Sequence, residues 1–282
     1  MRKTFWIFGL ILLVPLFLAT GCQEQKRDTS ETSNTTQSPI ESDEPGLVAH
    51  WEFEDDGSIV KDSADSYDGT IVGGAEYVPG KSGNALSFNG TDGRVDFPKS
   101  VVDGIGGLEQ GTIAFWFKYD SLLDTQQVEP IFFIGNDEND NQDDLYVIEL
   151  GHSSFDGAGS QPDPENRKLY STWIKDNREP FLCYDSRVNL EEDTWYHFAV
   201  VVDSEGNTGY LNGQEMDNRY YNFGEASDSF FLADVPDKQI MNLGYGRNSK
   251  MISPDFVYFK GLLDDFRIYD RPLTAEEIQE LI

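Results

Sequence analysis

Short apolar segments dominate the chain from residue 47 onward, and clusters of Gly, Asn and Asp separate them. Within these segments large apolar residues alternate with smaller or polar ones, as at Ile113, Phe115 and Phe117, which is typical of a strand with one buried face. Many short strands without intervening helices predict an all-β sandwich or barrel. The predicted strands are 47–54, 84–88, 94–97, 112–119, 131–134, 145–150, 168–174, 195–202, 208–211, 240–245 and 260–269.

Two local patterns predict a turn and a helix. Asn212 followed by Gly213 is typical of a tight hairpin turn. Near the C-terminus, Thr274 precedes Glu277 by three residues, which is the spacing of a capping box, and Pro272 lies just ahead. A short helix is therefore expected to begin after Thr274.

The first 22 residues have the pattern of an export signal. Arg2 and Lys3 precede an apolar run at 5–18, which is too short for a membrane-spanning helix of about 20 residues. Small residues then lead to Cys22, and this order resembles the lipobox of bacterial lipoproteins. The resemblance implies that 1–21 are a signal peptide and that Cys22 carries lipid, including palmitate. The alternative is an ordinary secretory signal with an incidental cysteine.

Residues 22–46 are predicted to form a lipidated, disordered linker, because they contain almost no large apolar residues. A flexible coil of this length reaches about 27 Å. We therefore expect a lipid-anchored protein of the cell envelope. Gln23 is not the aspartate associated with inner-membrane retention, so the outer membrane is expected if the source is Gram-negative.

The net charge of −30 narrows the range of partners. Such a surface repels nucleic acid and anionic lipid headgroups, so contact with the membrane is expected through the lipid anchor alone. Solubility in a salty habitat explains the charge equally well. The chain contains two cysteines, Cys22 and Cys183, and lipid on the first rules out an intramolecular disulfide. We expect a monomeric domain stabilised by packing.

Six segments in sequence order resemble the laminin G-like domains of the concanavalin A-like lectin/glucanase superfamily. The resemblance covers 47–282 and implies a jelly-roll sandwich of two antiparallel sheets, a structural calcium ion, and a role in binding carbohydrate or protein. The irregular stretch 122–193 is longer than in the simplest members. The six segments are GLVAHWEFE at 46–54, DSADSYDG at 62–69, GNALSFNG at 83–90, GTIAFWF at 111–117, TWYHFAV at 194–200 and FKGLLDDFRIYDRPLTAEEI at 259–278.

The same resemblance implies calcium ligands at one edge of the sandwich, at Glu54, Asp62 and Asp264. Calcium prefers six to eight hard oxygen ligands, which carboxylates on loops supply. The alternative is that these carboxylates are solvated turn residues. A second acidic loop, 137–144, lacks the turn glycine and the final glutamate of an EF-hand, so it is interpreted as solvated. Neighbouring acidic residues at the first edge are Asp55, Asp65, Asp68 and Asp265.

Sugar recognition combines aromatic faces with convergent polar groups. The tryptophans Trp51, Trp116 and Trp195 lie in family strands and are expected in the core. By the same reasoning, any single tyrosine among the candidates is more often a packing residue than a ligand contact. The candidate ligand-binding residues are Trp173, Tyr184, Arg187, Arg219, Tyr220, Tyr221 and Arg247.

The sequence offers little for catalysis. Glycoside hydrolysis needs two carboxylates about 5 to 10 Å apart, and no convincing strand has the Glu-x-Asp-x-Glu spacing of laminarinase-type glucanases. The segment 256–261 resembles a strand of alginate lyases, but the accompanying motifs are missing. His50, His152 and His197 are dispersed, and Cys183 is expected to be a buried apolar residue.

Three functions remain open. The first is a non-catalytic module that binds a glycan or a surface protein and is stabilised by calcium. The second is a polysaccharide hydrolase or lyase that uses 122–193 as its cleft, against which the missing carboxylate pair argues. The third is a structural adhesion or envelope component with no small ligand.

Overall fold

The computed structural model describes residues 44–121, 128–136, 144–151, 167–175, 180–248 and 255–282. All of them belong to one compact unit, Pro39–Ile282. The predicted signal peptide, Cys22, His152 and most of the second acidic loop lie outside the described residues. Within the described part, no helix is long and apolar enough to cross a membrane.

Nineteen strands and two α-helices make up the described fold. A 3₁₀ helix at Leu232–Asp234 precedes β16. The elements are β1 Leu47–Trp51, β2 Ile59–Val60, β3 Gly69–Val72, β4 Glu76–Pro79, β5 Asn84–Asn89, β6 Arg94–Asp96, α1 Lys99–Ile105, β7 Gly111–Tyr119, β8 Val128–Gly135, β9 Leu145–Gly151, β10 Lys168–Ile174, β11 Pro180–Asp185, β12 Tyr196–Asp203, β13 Gly206–Leu211, β14 Gln214–Glu215, β15 Tyr220–Phe223, β16 Ile240–Leu243, β17 Tyr245–Gly246, β18 Val257–Tyr258, β19 Lys260–Tyr269 and α2 Ala275–Glu280.

The strands form two large antiparallel sheets and one small ribbon. The eight-stranded sheet has the order β14-β13-β12-β7-β19-β5-β4, with β1 paired to the second half of β19. The nine-stranded sheet has the order β15-β11-β10-β9-β8-β16-β6-β3-β2, and β17 pairs with β18 as a separate ribbon. The predicted all-β sandwich of two antiparallel sheets is confirmed.

Aromatic side chains from the two sheets meet in the core. Ile113, Phe115 and Phe117 of β7 are fully buried, as their alternation predicts. Phe266 of β19 stacks on Phe115 with ring centroids 4.8 Å apart, and it lies 5.7 Å from Phe132 in the other sheet. The inner faces therefore interlock through large apolar side chains, which supply most of the stabilisation by burial.

Helix α2 covers the opposite face of the eight-stranded sheet. Its Ile278 is fully buried against a small apolar cluster that includes Ala199 and Tyr210. The predicted capping box is present: Thr274 Oγ1 accepts the Glu277 N–H at 3.2 Å, and Glu277 Oε2 accepts the Thr274 N–H at 2.8 Å. The C-terminal helix prediction is confirmed.

All eleven predicted strands occur, with shifts at their ends. The hairpin at Asn212 and Gly213 joins β13 to β14, and both residues have the positive φ that this tight turn requires. The expectation that no helix intervenes is wrong, because α1 lies between β6 and β7 and buries Val101, Val102 and Ile105. The strands that the pattern missed are β2, β3, β4, β11, β14, β15, β17 and β18.

Candidate functional site

The outer face of the nine-stranded sheet is the face turned away from the core, and strand alternation decides which residues it carries. In β6, Val95 is buried in the core, so Arg94 and Asp96 lie on the outer face. The ladder pairs Asp96 with Asn242 of β16, and Asn242 with Phe133 of β8. A carboxylate, an amide and an aromatic ring therefore stand side by side.

The ribbon of β17 and β18 lies over this row. A Cβ atom at Gly246 would fall 2.7 Å from Cβ of Phe133, so glycine is required for this approach. Phe256, just before β18, packs edge-on against Phe133, with ring centroids 5.5 Å apart. The ribbon therefore rests on Phe133.

Three partly exposed aromatic side chains gather on this ribbon: Tyr245, Phe256 and Tyr258. We call them the aromatic ribbon cluster. The Tyr245 ring lies 5.0 Å from Phe256 and 4.7 Å from Tyr258, between centroids. Sequence reasoning missed all three, although three aromatic residues within fourteen positions were a signal. Such a cluster offers an apolar surface for a ligand with flat apolar faces.

A polar group adjoins the aromatic ribbon cluster. Arg94 donates to both carboxylate oxygens of Asp96, from Nε at 2.7 Å and from Nη2 at 3.2 Å. Asn242 Nδ2 donates to Asp96 Oδ1 at 2.7 Å. Cζ of Arg94 lies 5.0 Å from the centroid of the Tyr245 ring. Donors and acceptors for hydroxyl groups therefore stand next to apolar rings, a combination that suits sugars.

A surface cavity of about 450 Å³ continues from Asp96 toward the edge of the sheet. Thr70 of β3 lies opposite Asp96 in the ladder and lines this cavity, as do Ile59 and Asp68. Its size is within the usual range for ligand pockets. The polar group therefore connects the aromatic ribbon cluster with an open depression.

A second aromatic surface lies at the other edge of the same sheet. Tyr220 and Phe223 of β15 are 47% and 40% exposed, and Val188 nearby in the chain is 43% exposed. The Arg187 guanidinium lies over the Tyr220 ring, 4.0 Å from its centroid. The ladder pairs Tyr220 with Asp185 and Phe223 with Cys183. The structure thus places the predicted Tyr220 and Arg187 together at an exposed edge.

Arg219 and Tyr221, two further predicted ligand residues, form an internal network. Arg219 Nη2 donates to the Asn207 carbonyl oxygen at 2.6 Å, and Arg219 Nε donates to the Tyr221 hydroxyl at 2.7 Å. The Tyr221 hydroxyl donates to Asn207 Oδ1 at 2.8 Å. This network ties β15 to β13, so both side chains have a structural role here.

Trp173 and Tyr184 face the core. Trp173 is 3% exposed and stacks on Tyr146 with ring centroids 3.9 Å apart, and Tyr184 is 1% exposed. Periodicity in β10 and β11 does not reveal which face is outward, because both faces are buried here. This placement does not favour direct contact between either ring and a ligand.

Arg247, the last predicted ligand residue, is buried beneath the aromatic ribbon cluster. Its side chain is 1% exposed, and Nη2 donates to Asn136 Oδ1 at 2.6 Å. Cζ lies 5.6 Å from the centroid of the Phe256 ring. Arg247 therefore supports the cluster from inside.

Two buried carboxyl groups lie in the same cross-strand row of the outer face. Glu149 of β9 and Asp185 of β11 both pair with Tyr170 of β10, which separates them by two strand spacings, about 10 Å. Burial raises the pKa of Glu149 to about 8, although a hydrogen bond from Asn248 opposes the shift. Glu149 is 1% and Asp185 is 4% exposed, so a substrate cannot reach either in this conformation.

At the edge of the sandwich, the carboxylates of Glu54 and Asp264 both contact the loop 80–84. Glu54 Oε1 accepts the Asn84 N–H at 3.0 Å. A Cβ atom at Gly80 would lie 2.6 Å from Asp264 Oδ2, and one at Gly83 would lie 1.8 Å from Glu54 Oε1. Burial, with Asp265 and Glu54 nearby, raises the pKa of Asp264 to about 6. Asp264 Oδ2 accepts the N–H groups of Lys81 at 2.8 Å and Ser82 at 3.0 Å, so both carboxylates hold this loop through its backbone.

Asp62 has a different role from this pair. Its carboxylate accepts the N–H groups of His50 at 2.7 Å, Ala64 at 3.0 Å, Asp65 at 3.2 Å and Tyr67 at 3.1 Å. Its acceptor positions are therefore used by a turn. Among the described residues, no three His, Cys, Asp or Glu side chains are grouped to hold a metal ion.

The comparisons with known proteins agree with this architecture. A laminin G model, described as concanavalin A-like lectin/glucanases superfamily, matches residues 89–279. Domain 4 of AbnA, a GH43 extracellular arabinanase from Geobacillus stearothermophilus solved with arabinotriose, is 25% identical, with a TM-score of 0.54, over 83% of this chain and 97% of that one. A Trypanosoma rangeli sialidase with sialic acid is 19% identical, with a TM-score of 0.55, over 84% of this chain. This chain spans 32% of that sialidase, and the likeness concerns the fold alone.

Proposed function

Since the chain belongs to the laminin G group of the concanavalin A-like lectin/glucanases superfamily, we propose that it is a carbohydrate-binding module. Its glycan site is the aromatic ribbon cluster together with Arg94, Asp96 and Asn242. The protein holds the glycan and does not cleave it. A surface protein that carries such a glycan is an equivalent partner.

One observation carries this proposal: partly exposed aromatic rings adjoin a hydrogen-bonded polar group and an open cavity on one sheet face. Sugars present apolar C–H faces for stacking and hydroxyl groups for hydrogen bonds, so they need both kinds of surface at once. Domain 4 of the arabinanase, which has the same fold, was solved with arabinotriose. That complex supports a glycan ligand for this chain.

Titration of the purified protein with oligosaccharides, followed by calorimetry, tests the site. Tyr258→Ala is expected to weaken binding roughly 2- to 12-fold, because an aromatic contact contributes about 0.5–1.5 kcal/mol. Tyr220→Ala is the matched control, since it removes an exposed tyrosine from the far edge of the same face. Glycan binding that is weakened by Tyr220→Ala and unchanged by Tyr258→Ala would move the site to that edge.

Calcium is part of the proposal, with Glu54 and Asp264 as its side-chain ligands. The convergence of both carboxylates on a glycine-containing loop supports it. An ion there would relieve the repulsion between them and fix the loop 80–84 to both strands.

We also propose that lipid on Cys22 displays the module from the cell envelope. The segment that supports this lies outside the described residues, so the support comes from the sequence pattern alone. Metabolic labelling with palmitate, compared between the full chain and its Cys22→Ser variant, tests it. Equal labelling of the two proteins would exclude lipid at this position.

A hydrolase has one supporting observation. Burial raises the pKa of Glu149 to about 8, which favours its protonated form at neutral pH, and the backbone of Asp185 lies two strand spacings away, about 10 Å, near the upper limit for a carboxyl pair in inverting glycosidases. Reducing-end release from a polysaccharide that is lost in Glu149→Gln would favour catalysis. Burial of both groups is the reason that binding is the first proposal.

A further inference from the structure

We infer that the glycan is an uncharged chain, bound along the outer face from β16 across β6 and β3. This inference rests on the proposed function and adds the chemical class of the ligand. Its evidence is the charge and the length of the surface next to the aromatic ribbon cluster.

The guanidinium at the site is already paired with a carboxylate. An acidic sugar is normally held by a cation that can form two parallel hydrogen bonds to its carboxylate or sulfate. Arg94 makes that bidentate contact with Asp96, at 2.7 and 3.2 Å. The Asp96 side chain is 39% exposed and that of Arg94 is 25% exposed, so the negative partner faces solvent more. An anionic ligand would have to displace Asp96.

The adjoining cavity adds further negative charge. Asp68 and Asp96 both line it, while its other described lining residues carry no charge. The chain as a whole has a net charge of −30, so the long-range field also repels anions. Hydroxyl groups of an uncharged sugar, in contrast, can donate to these carboxylates without a charge penalty.

The surface is long enough for several sugar units. Asn242 in β16 and Ile59 in β2 are separated by three strand spacings, which is about 14 Å. The aromatic ribbon cluster lies at one end of this span and the cavity at the other. A glycan chain that contacts both regions should bind more tightly than a single sugar, so affinity should rise with the length of the glycan.

Two polymers with the same sugar backbone but different charge separate the effect of charge on binding from the effect of sugar type. The purified protein would be titrated at low salt with methyl-esterified and de-esterified polygalacturonate, and with the uncharged polymers arabinan and xylan. We expect the de-esterified form to bind at least tenfold more weakly than the esterified form. Among uncharged oligosaccharides, we expect the affinity to increase with chain length. Equal or tighter binding of the de-esterified form would overturn the inference and leave the proposed function standing. No binding of any polymer, charged or uncharged, would remove both.

The Asp96→Asn variant tests the cause of the preference. The asparagine keeps an acceptor for Asn242 and frees Arg94, so the difference between the two polygalacturonates should narrow. Glu215→Gln, an exposed change in the other sheet, should leave the difference as it is. A difference that Asp96→Asn does not alter would contradict the role given to Asp96.

Discussion

Glu149 makes the stability of the fold depend on pH in a direction opposite to that of a salt-bridged carboxylate. Its side chain is 1% exposed, Asn248 Nδ2 donates to Oε1, and Oε2 accepts no hydrogen bond from the described residues. Ionisation would therefore place a charge in an environment that solvates it poorly. The change to test is Glu149→Gln, which keeps the shape and removes the titration.

The magnitude follows from the pKa difference between the folded and unfolded states. The pKa of Glu149 rises from its ordinary value of 4.5 to about 8 on folding. The folded protein thus binds more protons than the unfolded chain between these values, and the free energy of unfolding falls by about 1.4 kcal/mol per pH unit as pH rises. The contribution is fully present below pH 4.5, amounts to about 5 kcal/mol, and is lost above pH 8.

In the window from pH 6.5 to 8, Glu149 makes the largest contribution among these groups. Burial lowers the pKa of His197 to about 4 and raises that of Asp264 to about 6, so both are largely deprotonated in the folded protein, while burial raises the pKa of Cys183 to about 12. In the unfolded chain His197 still loses its proton at the lower end of this window, which opposes the fall in stability by about 0.4 kcal/mol. Across these 1.5 pH units the contribution of Glu149 to the free energy of unfolding should fall by about 1.6 kcal/mol, because the slope decreases to half its full value as pH reaches the pKa.

Urea unfolding at several pH values measures that loss. The Glu149→Gln variant should give a nearly flat profile across the window, and Glu76→Gln, a change at an exposed strand position, should keep the wild-type slope. Parallel profiles for wild type and Glu149→Gln would refute the reasoning, because the slope would then belong to other groups.

Three further predictions concern the edge of the sandwich and the last helix. If calcium binds at Glu54 and Asp264, a chelator lowers the midpoint of thermal unfolding, and Glu54→Gln abolishes the response; an unchanged wild-type midpoint argues against the ion. Asp62→Ala removes four backbone hydrogen bonds and should cost about 3 kcal/mol in urea unfolding while leaving the chelator response intact. Thr274→Ala should cost about 1 kcal/mol, and Thr274→Ser should restore most of it; equal stability of all three proteins would contradict the capping role.

Long strands could be predicted from the sequence because their side chains alternate or run continuously apolar. Seven of the eight missed strands have four residues or fewer, so pairing with a partner strand decides their conformation; β11, with six residues, is the exception. Strand β15 is an example: Tyr220 and Phe223 look like loop aromatics until β11 pairs with them. Helix α1 was missed because Val101 and Val102 favour strands locally, and their burial against the sheet overrides that preference.

The candidate site was harder to predict because it depends on which face of a strand looks outward. Trp173 and Tyr220 are equally plausible ligand residues by type, but Trp173 stacks on Tyr146 in the core and Tyr220 is half exposed. The aromatic ribbon cluster depends on contacts between residues far apart in sequence, such as Phe133 with Phe256. No periodicity contains that information.

The positions of the acidic residues at the candidate site indicate one consequence of the chain's negative charge. A net charge of −30 by itself is compatible with solubility alone. At the site, however, Asp96 neutralises Arg94, the cation beside the aromatic rings, and Asp68 adds a second carboxylate to the neighbouring cavity. The net charge of the chain and the carboxylates at the site therefore both disfavour the binding of acidic ligands. If the proposed glycan site is correct, the protein should discriminate by repulsion as well as by contact, because an uncharged glycan can use the rings and carboxylates together.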